Sequence, residues 1–96
     1  MEQLSRFDIA RYKGVLMVVV ESDLLPPDPA IVVIPLLPDY PAVKLLNPHI
    51  QFEEMRLVLA TRLIAAVRRA GLQRVGDVAD QGDQITRAVD VLMAGV

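Results

Sequence analysis

The chain has 96 residues, 53% of them hydrophobic, and ten basic against twelve acidic residues leave a net charge of −2. This balance argues against a protein that binds mainly nucleic-acid phosphates, which needs a basic surface. The absence of cysteine excludes a disulfide framework and a thiolate nucleophile, and the single histidine, His49, leaves few metal or general-base schemes. We therefore expect one domain over residues 1–96, with no catalytic residues, no metal and no cofactor.

The apolar residues are numerous for so short a chain. A domain of this size buries roughly 60–70% of its unfolded-chain surface, so some of these side chains are expected to stay exposed. The apolar run at residues 15–20 is far shorter than the roughly 20 residues that a membrane-spanning helix needs, and charges such as Glu2 and Arg6 are unlike a secretory signal. The composition thus predicts a cytoplasmic protein that does not bind membranes and that forms a homodimer or binds a protein partner.

Strand patterns fill the first part of the chain. Residues 7–11 alternate between two faces, and residues 15–20 form a β-branched apolar run typical of a strand buried on both faces. Lys13-Gly14 predicts a hairpin turn between these two strands. Residues 21–29 are predicted to form a loop, because their prolines fix φ and remove backbone donors.

The middle of the chain is predicted to add three strands. The first covers residues 31–37, and Pro35 with Pro38 predicts that its far end lies at a sheet edge or a bulge. Residues 50–54 and 56–61 alternate as two short strands of a further hairpin.

The last part of the chain is predicted to end in a helix. Residues 62–69 fit either a helix or an extended segment, and Gly71 and Gly76 are expected to mark turns. Beyond them, apolar residues recur at helical spacing in one stripe: Ile85, Ala88, Val89, Leu92 and Met93. Asp80 or Asp83 is expected to cap the start of this helix.

Five arginines form a basic stretch within this acidic chain: Arg56, Arg62, Arg68, Arg69 and Arg74. Guanidinium groups pair with carboxylates in a bidentate geometry, so the stretch can bind an acidic peptide. The alternative is a solvated strand edge and loop. Thr61-Arg62 places a hydroxyl beside an arginine, as an RNA-cleaving site would, but such a pair is common in proteins.

Two adjacent leucines, Leu24 and Leu25, lie between Asp23 and Pro26 in the proline-bounded loop. Two neighbouring side chains in such a loop cannot both face a core easily. Either one is buried and the other is exposed by chance, or the pair is a hydrophobic anchor for a partner.

Several segments occur in an order that is informative as a whole: Glu21-Ser22-Asp23-Leu24-Leu25, Val33-Ile34-Pro35-Leu36, Leu46-Asn47-Pro48, Ala60-Thr61-Arg62-Leu63-Ile64-Ala65-Ala66-Val67, and the helix from Asp83 to Val96. In this order and spacing the chain resembles the family of CcdB-type toxins of bacterial toxin–antitoxin modules. Each motif is loose by itself, whereas the order and the spacing together are fairly specific. The resemblance covers nearly the whole chain in one register with modest gaps.

The resemblance implies a mainly β fold with a C-terminal α-helix, an SH3-like barrel of the CcdB and MazF toxin type, assembled as a homodimer. It implies a toxin that is not an enzyme, and that binds the A subunit of DNA gyrase and traps gyrase on cleaved DNA. It also implies an antitoxin, whose disordered C-terminal tail binds the dimer and displaces gyrase. We expect this tail to be acidic, because the basic stretch is its predicted contact.

Positions of this chain that match the family's gyrase contacts lie in the loop, at Leu24 and Leu25, and at the helix end. The helix-end positions are Asp90, Met93, Ala94, Gly95 and Val96. The best-known members carry a tryptophan just before the final glycine, where this chain has Ala94. A large aromatic anchor contributes about 2 kcal/mol or more at a hot spot, so weaker gyrase binding is expected here. The predicted antitoxin contacts are Arg56, Arg62, Arg68 and Arg69.

Two other functions stay open at this point. A toxin-fold interaction module without gyrase activity would account for Ala94. An mRNA interferase of the MazF type shares the barrel fold, but its members open with a Gly-Asp-containing strand and a basic loop, which residues 4–20 lack.

Overall fold

The structure, a computed structural model, describes residues 3–95 and contains one curled antiparallel sheet and a helix. The strands are β1 (Asp8–Tyr12), β2 (Val15–Val19), β3 (Ala30–Leu37), β4 (His49–Phe52), β5 (Met55–Leu59), β6 (Ala65–Arg68) and β7 (Gln73–Asp77), and the helix is α1 (Gly82–Ala94). Their order in the sheet is β4-β5-β3-β2-β1-β7, with β6 paired to β3, and the sheet curls into a half-barrel. The predicted class, mainly β with a C-terminal helix, is confirmed.

The first hairpin turns at the predicted place. Tyr12 pairs with Val15, and the two residues between them, Lys13 and Gly14, have φ angles of 50° and 82°. Two positive φ angles define the type I′ turn, whose twist matches that of antiparallel strands. This turn therefore fixes the register of β1 against β2.

Strand β3 lies in the centre of the sheet, so of the two predicted alternatives for its proline-bearing end, a sheet edge or a bulge, the edge is wrong. The register instead shifts beside Pro35, between the pair Val33–Ala65 and the pair Leu36–Leu59. It pairs with β2 on one side and with both β6 and β5 on the other. Pro35 lies between the β6 and β5 ladders, where a continuous ladder would need the N–H that proline lacks. Its carbonyl still accepts the N–H of Ala60 at 3.0 Å. A 3-10 turn, Thr61–Leu63, fills this gap and separates β5 from β6.

Hydrophobic side chains pack on both faces of the sheet. The larger core contains Ile9, Leu16, Val18, Ile34, Leu36, Ile50, Phe52, Leu57, Leu59, Val78, Ile85 and Ala88, the last two from α1. The smaller core, on the opposite face, contains Leu4, Ala10, Val19, Ile31 and Val33. Strand β2 contributes to both cores, which confirms the prediction of a strand buried on both faces.

The later turns and caps differ from the prediction. Gly76 does not mark a turn; it lies inside β7, and a Cβ there would stand 2.8 Å from Cε1 of Phe52. Helix α1 begins after Gln81 without a side-chain cap, so neither Asp80 nor Asp83 has the predicted role. Asp83 does lie in the first turn, where a carboxylate is favourable near the positive end of the helix dipole.

The segment between β5 and β7 proves to be extended rather than helical. Strand β6 (Ala65–Arg68) follows the first 3-10 turn, and a second 3-10 turn, Arg69–Gly71, leads into β7. Gly71 thus lies at a turn, as predicted. Among residues 3–95, no helix is long and apolar enough to cross a bilayer.

Two buried polar side chains hold the irregular segment 39–48 against the sheet. Asn47 accepts the N–H of Val43 and donates to the carbonyl of Leu59, both at 3.0 Å. Thr61 is fully buried, and its hydroxyl donates to the carbonyl of Leu46. A buried hydrogen bond to a backbone group avoids the cost of leaving that group unpaired. Asn47 and Thr61 therefore define where this segment lies.

We predict that Asn47→Ala lowers the free energy of unfolding by about 2 kcal/mol. It removes the acceptor of the Val43 N–H and leaves the carbonyl of Leu59 with only the longer contact, at 3.3 Å, to the Thr61 hydroxyl. Urea denaturation followed by circular dichroism measures this loss. The control is Arg56→Ala, an exposed position, where we expect a change within about 0.5 kcal/mol. Equal losses in the two variants would contradict the assigned role of Asn47.

Candidate functional site

The loop between β2 and β3 exposes both leucines of the predicted pair. The exposed fraction is 94% for Leu24 and 56% for Leu25. Ser22 shapes the turn: its Oγ accepts the N–H of Leu24 at 3.1 Å, and its carbonyl accepts the N–H of Leu25 at 3.3 Å. Neither leucine belongs to a core, so burying them requires another molecule.

One ion pair and two hydrogen bonds fasten the two ends of this loop to the sheet. Glu21 accepts the N–H of Val32 through Oε1 at 3.3 Å, and its Oε2 lies 3.7 Å from Nη2 of Arg69. Arg69 also donates from Nε to the carbonyl of Asp28 at 2.9 Å. The side chains of Glu21 and Arg69 are only 15% exposed, so the pair is shielded better than an ordinary surface pair. The loop therefore has a fixed base on β3.

Arg6 connects the same loop to the helix. Its backbone N–H donates to Oδ1 of Asp23 at 2.8 Å, and its Nη2 donates to Oγ1 of Thr86 at 2.9 Å. The guanidinium carbon also lies 4.7 Å from the ring centroid of Phe7, a cation–π distance. Thr86 shares a helix face with Asp90 and Met93, which follow it by four and seven residues. Through Arg6, the loop that carries the leucines is thus joined to the helix face that carries two further predicted site residues.

The C-terminal end of α1 presents small and flexible side chains. Met93 is 75% exposed, and Ala94 and Gly95 are also exposed. Gly95 ends the helix with a φ of 72°, and its N–H donates to the carbonyl of Val91 at 2.9 Å. Val96, the last predicted site residue, lies outside the described residues. Asp90 is exposed one turn earlier on the helix.

The five arginines do not form a single patch. Arg69 and Arg74 are ion-paired: the first with Glu21 as described, the second with Asp8 at 3.1 Å and Asp77 at 3.9 Å. The other three, Arg56, Arg62 and Arg68, are exposed. Arg68 pairs with Ala30 at one end of β3, and Val58 of β5 pairs with Leu37 at the other end. These two pairs are seven residues apart, about 23 Å along the strand, and Arg56 lies further still from Arg68. Two exposed arginines therefore flank β6, and the third lies at the far end of the sheet.

The residues whose chemistry could support catalysis do not form a site. The hydroxyl of Thr61 is buried and donates its one hydrogen to the carbonyl of Leu46, with the carbonyl of Leu59 at 3.3 Å, whereas Arg62 faces solvent. His49 is exposed at the start of β4. Within the described part of the chain, no three His, Asp or Glu side chains are placed to share a metal ion.

Sequence reasoning missed Arg6 and Thr86. The two residues lie 80 positions apart in the chain, and neither belongs to a local motif. Only the meeting of the N-terminal segment with α1 brings them together, so no spacing rule could have identified the pair. Asp23 is adjacent to the leucines in the sequence, but its bond to the backbone of Arg6 depends on the same long-range contact.

We predict that Asp23→Ala increases the fast motion of the Leu24-Leu25 turn, because the loop loses its bond to the backbone of Arg6. Order parameters from ¹⁵N NMR relaxation of Leu24 and Leu25 measure it, and we expect them to fall below about 0.6. Asp23→Asn is the matched control, since its side-chain oxygen can still accept the same N–H. Equal order parameters in the wild type and Asp23→Ala would mean that Asp23 does not hold the loop.

A search of curated proteins found no match. A protein-family model described as "CcdB protein" matches residues 6–95, which include every strand, the leucine loop and the whole of α1. Because the match covers nearly the whole chain, this protein belongs to the CcdB family.

Proposed function

We propose that this protein is the toxin of a type II toxin–antitoxin module, and that it binds the A subunit of DNA gyrase and inhibits the enzyme. Membership of the CcdB family supports this, because the family consists of toxins that act on gyrase as poisons rather than as catalysts. The observation that carries the proposal is the exposed pair Leu24 and Leu25. The pair stands on a loop that Arg69 ties to the sheet and Arg6 ties to the helix.

The proposed gyrase surface combines this loop with the end of α1. Its residues are Leu24, Leu25, Asp90, Met93, Ala94, Gly95 and Val96. Leu24 and Met93 are the most exposed large apolar side chains among residues 3–95, so they offer the largest apolar area to a partner. Met93 is flexible and polarisable and can fill an irregular pocket, but it does not replace a stacked aromatic ring. We therefore propose gyrase binding that is weaker than that of relatives with a tryptophan at position 94.

We predict that Ala94→Trp strengthens binding to the dimerisation region of gyrase A by about thirtyfold, the factor that corresponds to about 2 kcal/mol at a hot spot. Leu25→Ala should weaken binding. Val43→Ala is the matched control, because Val43 is exposed to almost the same extent, 57% against 56%, and lies outside the proposed surface. Isothermal titration calorimetry of the purified fragments measures all four proteins. Wild-type binding that none of these changes alters would place the contact elsewhere.

We further propose that the protein is a homodimer, as the family implies. Leu63 is 46% exposed in the 3-10 turn that packs against α1, and an exposed leucine beside a helix is suited to a two-fold apolar interface. The dimer would bury part of the apolar surface that a single chain leaves in water.

Sedimentation equilibrium at micromolar concentration tests the dimer. We predict a mass twice the 10.6 kDa of one chain, and a shift towards one chain in Leu63→Asp, which would bury an unpaired charge at the interface. Met55→Asp, a control at another exposed apolar residue, should keep the dimer mass. A single-chain mass for the wild type would reject the dimer.

An antitoxin with a disordered, acidic C-terminal tail is the second proposed partner. Of the predicted contacts, Arg62 and Arg68 are exposed, Arg69 is engaged by Glu21, and Arg56 lies far along the sheet. We therefore propose that the tail binds chiefly beside β6. Affinity that depends on exposed charge pairs falls as salt rises.

Ala94 favours one other candidate, a toxin-fold interaction module that binds the antitoxin without acting on gyrase. The calorimetric titration separates the two, because this module would not bind gyrase A even as Ala94→Trp. The burial of the Thr61 hydroxyl argues against an mRNA interferase. An RNA-cleaving site at Thr61 and Arg62 would need a hydroxyl that RNA can reach, and this one is buried.

A further inference from the structure

Strand β6 has an unpaired outer edge within residues 3–95, since its only ladder is with β3. The N–H of Arg69 donates to the carbonyl of Pro29, so position 69 bonds inward to β3. Val32, which lies opposite Ala66, turns its N–H and its carbonyl to the other side, towards Glu21 and Val20. Because inward and outward bonding alternate along an antiparallel strand, the backbone groups of Ala66 and Arg68 point away from the sheet.

An apolar groove lies directly beside this edge. It has a volume of about 370 Å³, and its lining includes Leu25, Pro26, Ala30, Val32 and Ala66. Glu21 and Asp28 also line it, but the carboxylate of Glu21 is paired with Arg69 and that of Asp28 accepts the N–H of Ala30. Ala66 pairs with Val32 on β3, so the floor of the groove lies on the sheet face that carries the side chains of Ala66 and Arg68. The small side chain of Ala66 leaves room for an apolar group from outside.

Positive charge flanks the same edge. Arg62 precedes β6 and Arg68 ends it; both are exposed, and within the described residues neither lies within 4.0 Å of an acidic group. Edge strands in monomeric proteins are commonly protected by charges or by cover against further pairing. Here the charges stand at the ends, and the middle of the strand is alanine and valine.

We propose that an acidic, extended peptide segment adds to β6 as an antiparallel strand. The residue opposite Arg68 is acidic, and the residue two positions later, opposite Ala66, is apolar and enters the groove. Each of these two residues exchanges a pair of backbone hydrogen bonds with β6, and their side chains lie on the same face. The motif is therefore an acidic residue, any residue, then an apolar residue. The assignment rests on the proposed function as a toxin that an antitoxin tail binds.

Charge favours this occupant over a second copy of the chain. Two β6 edges paired across a two-fold axis would bring four exposed arginines to one seam, and like charges across a strand pair are destabilising. An acidic segment instead compensates both Arg62 and Arg68. It also covers Leu25, which lines the groove and belongs to the proposed gyrase surface. Strand addition would thus compete with gyrase at a shared side chain.

The test uses the full chain and a capped synthetic peptide, acetyl-Ser-Glu-Thr-Leu-Thr-Glu-Ser-amide, titrated by NMR. We expect binding with shifts at Ala66, Arg68 and Leu25. N-methylation of the leucine nitrogen removes a donor that faces β6, and should weaken binding at least about tenfold. N-methylation of the threonine between the first glutamate and the leucine is the matched control, because that N–H faces away; we expect less than about a twofold change.

Two protein variants test the contribution of the positive charge of Arg68 to peptide binding, again with a matched control. Arg68→Ala should weaken the peptide several-fold and flatten the salt dependence, whereas Arg56→Ala, with the same change in charge, should do neither. Absence of binding at millimolar peptide, or equal effects of the two N-methyl groups, overturns the proposal. A fall in sedimentation mass when the peptide is added would assign the edge to a second copy and also overturn it. None of these measurements involves gyrase, so failure of gyrase binding and failure of strand addition are separate results.

Discussion

On the side of β3 away from β2, the ladder of hydrogen bonds is interrupted at Pro35, and this break determines much of the structure. Pro35 cannot donate a backbone hydrogen bond, and at that point the neighbouring chain leaves the ladder for the 3-10 turn Thr61–Leu63. Because the turn takes up three residues, the chain rejoins β3 as a separate strand, β6. The break therefore produces a short outer strand beside the leucine loop, and it buries Thr61 where its hydroxyl can hold the segment before β4.

Local patterns were sufficient to predict the elements whose conformation depends on neighbours in sequence. The Lys13-Gly14 turn, the doubly buried β2 and the stripe of α1 all follow from such patterns. Strand β7 could not be predicted, because its sequence QRVGD is mostly polar and its glycine makes room for Phe52, a residue more than twenty positions away. The helix cap was predicted wrongly for a related reason: Gln81 occupies the cap position and its side chain pairs instead with the backbone of Gln51.

In the candidate site, too, some features follow from neighbouring residues in the sequence and others only from long-range contacts. Adjacency and the prolines predict that Leu24 and Leu25 cannot both be buried, but they leave open whether one or both are exposed. The exposure of both, and their attachment through Arg6 and Arg69, required the fold. The arginines are close together in the sequence and form one basic stretch there. The fold separates them into ion-paired supports and exposed groups, because strand register and not chain order sets their distances.

The contact between Phe7 and Gly82 has a kinetic consequence. Phe7 has a φ of 72°, and a Cβ at position 82 would lie 2.6 Å from its ring, so the start of α1 rests on this phenylalanine. The bond from Arg6 to Thr86 has a sequence separation of 80, and the pairing of β1 with β7, where Asp8 lies opposite Asp77, closes almost the same loop. Contacts of such separation are costly in loop entropy, so β7 and α1 are expected to dock late, after the hairpin of β1 and β2. When α1 frays, the bond between Arg6 and Thr86 breaks. The leucine turn then loses its link to the helix while the sheet is still folded.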